Sequence, residues 1–113
     1  MNDIIINIAN DFTDTPGPRY IIDGEFSGEL FRETILLSKY MEARENKVKL
    51  IIETDGTFGY PPSFLEESFG GLRRKTNDSY EKIMDIIVVK CDARPYLMEK
   101  IIKVVKEAFL WKK

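Results

Sequence analysis

Three aliphatic runs limit the folds open to this chain more than any other feature. They are Ile4-Ile5-Ile6-Asn7-Ile8, Val48 to Thr54, and Ile83 to Val89. Each is short, rich in β-branched residues and bounded by turn chemistry, which is the pattern of a strand. Each is also dense in isoleucine and valine rather than alternating, as expected of a strand covered on both faces. On that reading Ile6, Ile51 and Val88 are all buried on neighbouring strands. A fourth, shorter run, Arg19-Tyr20-Ile21-Ile22, lies between Pro16-Gly17-Pro18 and Asp23-Gly24 and reads as a hairpin partner of the first.

Helical periodicity separates the later runs. Ser27 suits an N-cap with Glu29 in the first turn, and the helix reaches about Arg44, where Asn46 can stop it. Leu30, Thr34, Leu37 and Met41 share its core face, while Leu36 and Tyr40 widen the apolar belt enough to allow a homodimer. A second helix opens at Ser63, where Ser63 and Glu66 have capping-box spacing, and Gly70-Gly71 should end it early. The run Arg73-Arg74-Lys75 would then be polar and mobile. Asp92 and Pro95 start a last, amphipathic helix with Leu97, Ile101 and Val105 inward, laid on the sheet, and Lys100, Lys103 and Lys106 in water. The order β-β-α-β-α-β-α predicts an α/β domain over residues 1–113. Its sheet is mixed, mostly parallel and of about four strands, packed against about three helices.

Composition then excludes much chemistry. The chain has no histidine and one cysteine, Cys91, so serine–histidine and cysteine–histidine catalysis and an ordinary zinc site are out of reach. A formal net charge of −2 gives no global attraction to nucleic acid. The longest aliphatic run is far too short to span a membrane, and the N-terminus has no secretion signal, so the expected location is the cytosol. Glu53, Asp55, Glu66 and Glu67 are the carboxylates to consider for a divalent cation, but their spacing fits no calcium loop. No metal, cofactor or enzymatic activity is expected.

The candidate site is the loop and helix start over residues 57–72, at the carboxyl end of a strand where α/β folds gather function. Ser63 either caps the helix or carries a phosphate beside the positive end of the helix dipole. Phe58, Tyr60 and Phe64 are rigid aromatic anchors for a protein partner or a cover over the core, with Glu67 on the same side as Phe64. Arg19, near the helix start at Ser27 and Gly28, suits an anion or nucleotide site, or else a structural bridge to Asp23 or Glu25. Cys91 reads as a small core residue.

Four blocks carry a resemblance: Pro16 to Tyr20, Gly24 to Arg32, Asp55 to Tyr60 and Ser63 to Leu72. They resemble the STAS-like domain family of unknown function, a small and mainly bacterial family. The resemblance implies a STAS-type fold like that of bacterial anti-sigma factor antagonists. In antagonists of that type a serine at a helix start is phosphorylated by an ATPase-type kinase partner, which switches partner binding. That serine corresponds to Ser63, and the strand end to Glu53-Thr54-Asp55-Gly56. Pro61, Pro62 and Phe64 stand where the antagonist motif has an acidic residue, a serine and a glycine. The expected function is a non-catalytic regulatory module that binds a protein through residues 57–72. The alternative is a sensor of a small ligand, anion or nucleotide built on Arg19, Ser27 and Ser63.

Overall fold

In the computed structural model, which describes residues 2–110, three parallel strands form one sheet in the order β1-β2-β3. They are β1 (Ile4–Asn7), β2 (Leu50–Glu53) and β3 (Ile87–Lys90). Ile4 pairs with Leu50 and Leu50 with Ile87, so the aliphatic runs lie side by side in register. Five helices surround them: α1 (Ile8–Asp11), α2 (residues 28–46), α3 (residues 62–76), α4 (Tyr80–Ile86) and α5 (Leu97–Lys106). No helix among the described residues is long and apolar enough to cross a membrane.

The fourth expected strand does not form, so the sheet is purely parallel. Residues 19–22 lead instead into a single 3-10 turn at Ile21–Asp23 whose Ile22 is 91% exposed. The local cause is Glu29, whose Oε1 accepts the Ile21 N–H at 2.9 Å and removes a donor that a ladder would need. Nor is the third run a strand throughout. Ser79 accepts the Lys82 N–H on its hydroxyl and caps α4, and the chain turns extended only at Ile87.

Both long helices contain a π-turn, at Arg32–Leu36 in α2 and at Glu66–Gly70 in α3. A π-turn adds a residue to the helical period and rotates the face that follows. The buried face of α2 is therefore Phe31, Leu36, Tyr40 and Ala43, not the stripe through Thr34, which is exposed. Leu36 and Tyr40 are fully buried and offer no dimer surface. Gly70 and Gly71 do not end α3, which runs on to Asn77, where a left-handed residue closes it. Their role is close approach: a Cβ on Gly70 would stand 3.1 Å from the Val104 carbonyl oxygen, and one on Gly71 would collide with the Arg32 guanidinium. Arg73-Arg74-Lys75 is the tied last turn of α3, with Arg73 donating to the Val105 and Lys106 carbonyls at 3.0 Å. The helix α5 packs chiefly on α3 and α4, not on the sheet.

With strand order 1-2-3 and right-handed crossovers, α2 and α3 cover the same face of the sheet. Ile6, Ile52 and Val89 point into that core. The alternate row, Ile5, Ile51 and Val88, points away from it, so the expected burial holds for Ile6 and fails for Val88 and the half-buried Ile51. Tyr40 reaches from the core to donate to Asp78 Oδ2 at 2.7 Å, and Arg44 donates to the same oxygen at 2.8 Å. Burial would raise the Asp78 carboxyl, but hydrogen bonds from Tyr40 and Arg44, with the Arg44 charge, hold it below its ordinary value.

Two measurements check this arrangement. Ile52→Ala should cost about 2–4 kcal/mol in urea unfolding and Ile51→Ala well under half of that, because only Ile52 leaves a cavity. Burial, followed by the hydrogen bond to Asp78, pushes the Tyr40 hydroxyl above its usual pKa of 10.0. The folded form thus keeps a proton that the unfolded form gives up, so stability should fall as the pH rises past about 10. Thermal melts at pH 8 and pH 11 should show that loss, and Tyr40→Phe should reduce it.

Candidate functional site

At the carboxyl ends of the strands, two loops meet. Residues 12–26 fold over residues 55–61, joined by the Phe58 N–H donating to the Asp14 carbonyl at 2.8 Å. The Thr54 hydroxyl and N–H both donate to the Lys90 carbonyl, at 2.8 and 2.9 Å, and continue the sheet by one residue. Tyr60 donates to the Thr54 carbonyl at 2.7 Å, and burial pushes its own hydroxyl up to about 12. Gly56 and Gly59 have positive φ (96° and 154°), a backbone that lets the loop turn twice within four residues. Phe58, between them, is 81% exposed. Of the three aromatic anchors expected here, Phe58 stands in solvent and Tyr60 is half-buried.

Phe64 is not on the surface. It is fully buried and stacked on Phe31 with ring centroids 5.9 Å apart, because Gly28 lets α2 come within contact of the Phe64 backbone. Glu67 is also buried, so neither residue can belong to a partner-binding face. The reason is that α3 lies between α2 and α5: Phe64 and Glu67 face α2, and the open side of its first turns is left to Pro62, Ser63 and Glu66.

The buried charges form one cluster. Arg32 Nη1 donates to Glu67 Oε2 at 2.6 Å and to the Glu67 carbonyl at 2.8 Å, with the two side chains 4% and 1% exposed. Arg19 Nη1 stands 2.6 Å from Glu66 Oε1 and 3.4 Å from Glu67 Oε1. Arg74 closes the cluster on Glu66, at 2.7 and 3.0 Å, and also donates to the Ala108 carbonyl. Arg19 thus serves as a bridge, to Glu66 and Glu67 rather than to Asp23 or Glu25. Glu66 is no capping partner of Ser63 either. Nothing in the spacing of Arg32 and Glu67, 35 residues apart, announced their pairing.

The helix start at Ser27 is closed to anions. The Ser27 hydroxyl accepts from Leu30 N–H at 3.0 Å, as its N-cap role requires. The Gly28 and Glu29 N–H groups are given to the Pro18 and Arg19 carbonyls at 2.9 and 3.0 Å. No donor is left there for a ligand. The four carboxylates considered for a cation do not converge: Glu53 accepts from Asn7, Asp55 from the Ala93 N–H, and Glu66 and Glu67 from arginines. Cys91 lies one residue past β3, half-buried against the core, in weak contact with the Pro95 carbonyl.

Ser63 is different. Pro61 takes the N-cap position in extended geometry and Pro62 is the first helical residue, so Ser63 sits inside the first turn without capping anything. Among the described residues its hydroxyl has no hydrogen-bond partner. It is half-exposed on a groove of about 460 Å³ between α3 and α5, lined by Arg19, Pro62, Leu65, Lys100, Lys103 and Val104, with Glu66. The two lysines are the residues that sequence reasoning missed here. Their spacing marks a polar helix face, but which neighbour that face meets depends on how α5 crosses α3.

A family model for the STAS-like domain of unknown function matches residues 27–93, from the cap of α2 to the residue whose N–H binds Asp55. It covers α2, β2, α3, α4 and β3 and leaves β1 and α5 outside. No curated protein and no solved structure matches the chain.

Removing one partner of the Arg32–Glu67 pair should strand a buried charge. Arg32→Met is expected to cost about 3–5 kcal/mol, and Arg32→Met combined with Glu67→Leu less than the sum of the two single changes. Urea titrations of the three variants measure both quantities.

Proposed function

This chain belongs to the STAS-like domain family of unknown function, and from that premise we propose that it is a non-catalytic regulatory module. A protein partner docks on the surface that runs from Phe58 to the Ser63 groove. The observation that carries this reading is the position of Ser63: a hydroxyl with no hydrogen-bond partner among the described residues, in the first turn of α3, on a groove whose other wall brings Lys100 and Lys103. A phosphate there would add nearly two negative charges beside two ammonium groups and the positive end of a helix. The modification would therefore be held rather than repelled, and it would change the charge of the groove without disturbing the core. By its resemblance to antagonist domains, the partner is an ATPase-type kinase or a comparable regulator.

Catalysis by this site is disfavoured on chemical grounds. Among the described residues Ser63 has no hydrogen-bonded base, and the one polar contact of the Cys91 sulfur is the Pro95 carbonyl. A sensor built on Arg19 and Ser27 is disfavoured because the helix amides at Ser27 are used internally and Arg19 is engaged by Glu66.

The test is a pull-down from native lysate with thermal melts alongside. Since Ser63 caps nothing, both Ser63→Ala and Ser63→Asp should melt within about 0.5 kcal/mol of wild type. Wild type and Ser63→Ala should retain the same partner, while Ser63→Asp and Phe58→Ser lose it. Equal capture by wild type, Ser63→Asp and Phe58→Ser would refute this reading.

A further inference from the structure

Parallel sheets are normally covered on both faces, because crossover helices and aliphatic strands leave no face fit for water. Here both crossovers lie on one side. The other face shows the row Ile5, Ile51 and Val88, with Ile5 57% and Val88 37% exposed. Alternation along the strands puts Asp3 and Lys49 on this same face before the aliphatic row, and Asn7, Glu53 and Lys90 after it. Asp85 joins the first group, its Oδ1 3.6 Å from Lys49 Nζ, and Glu53 accepts from Asn7 Nδ2 at 3.3 Å.

We propose that this open face is a homodimer contact, with the sheets of two copies packed face to face about a twofold axis lying along the row Ile5–Ile51–Val88. The charges on the face select that axis. The rotation keeps each strand over its own copy and reverses its direction, which places Glu53 over Lys49, Asn7 over Asp3 and Lys90 over Ile86. The charged pair that meets, Glu53 with Lys49, is opposite in sign and is formed twice by the symmetry. The other in-plane axis, along β2, would set Glu53 against Glu53 and Lys49 against Lys49, and like charges at an interface suppress the wrong arrangement. The aliphatic row supplies the apolar centre, and the charged ends supply the rim and the register. A C2 contact of this kind needs only one self-complementary patch.

Sedimentation equilibrium over a range of concentrations and salt tests the proposal, with circular dichroism and melts confirming that each variant is folded. Wild type should show a reversible monomer–dimer equilibrium that weakens with salt. Ile51→Lys, on the open face and outside the Ser63 groove, should be monomeric. Lys49→Glu and Glu53→Lys should each weaken dimerisation by about tenfold or more. Mixed one to one they should recover it, because in the heterodimer both Glu–Lys contacts are restored. A chain that stays monomeric up to about 1 mM would leave the face to another protein or a further segment, and the proposal would fall. It would fall equally if dimerisation survived Ile51→Lys, or if mixing the two charge variants restored nothing. None of these readouts involves Ser63 or Phe58, so the dimer and the partner surface stand or fall separately.

Discussion

The ion pair of Arg32 and Glu67 sits where the two π-turns face each other, and most of the helical layer is arranged around it. A buried guanidinium is costly unless its donors are used, and here one nitrogen serves both the carboxylate and the carbonyl of the same residue. That double acceptance fixes how α2 crosses α3. Gly71 is required where the guanidinium lies, and Gly28 is required where the start of α2 meets Phe64. The second carboxylate, Glu66, then binds Arg19 from the loop after β1 and Arg74 from the end of α3. Charge rather than apolar contact joins the first loop to the helical layer at this point.

This dependence explains what could be read from the sequence. The three aliphatic runs, their parallel pairing through helices and the cap at Ser27 were legible, since each rests on local composition. The blocks around Ser63 to Leu72 were enough to suggest the family that the match over residues 27–93 establishes. The π-turns were not legible. No residue type marks one, and each shifts the helical face by a residue, so the periodicity that assigned Leu30, Thr34 and Leu37 inward failed where the turn begins. The fourth strand failed for a related reason: Ile21 has strand composition, but its N–H is captured by Glu29 from eight residues away.

Within the candidate segment, sequence reasoning misread which side chains are exposed at half of the positions it singled out. Phe64 and Glu67 were assigned outward because a single helix has one inner face. The helix α3 has neighbours on several sides, and that fact belongs to packing rather than to the segment itself. Ser63 does stand at a helix start, as its sequence context implied, but the capping position is taken by Pro61 with Pro62 as the first helical residue. Phe58 was identified by its glycine neighbours, which do set the loop geometry.

The pairing pattern of the sheet also bears on how the molecule forms. No strand has a neighbour close by in sequence: Ile4 meets Leu50, and Leu50 meets Ile87. Loop-closure entropy must be met before any ladder bond is gained, so nothing in the sheet can nucleate early. The contacts available at short range are those inside α2, within α3 and between α3 and the chain that follows it. Acquisition of structure should therefore run from the helical layer to the sheet, with β1 the last strand whose partner is fixed. Until then its isoleucines are an unpaired adhesive edge, and the nascent chain depends on the speed of that final closure to stay out of aggregates.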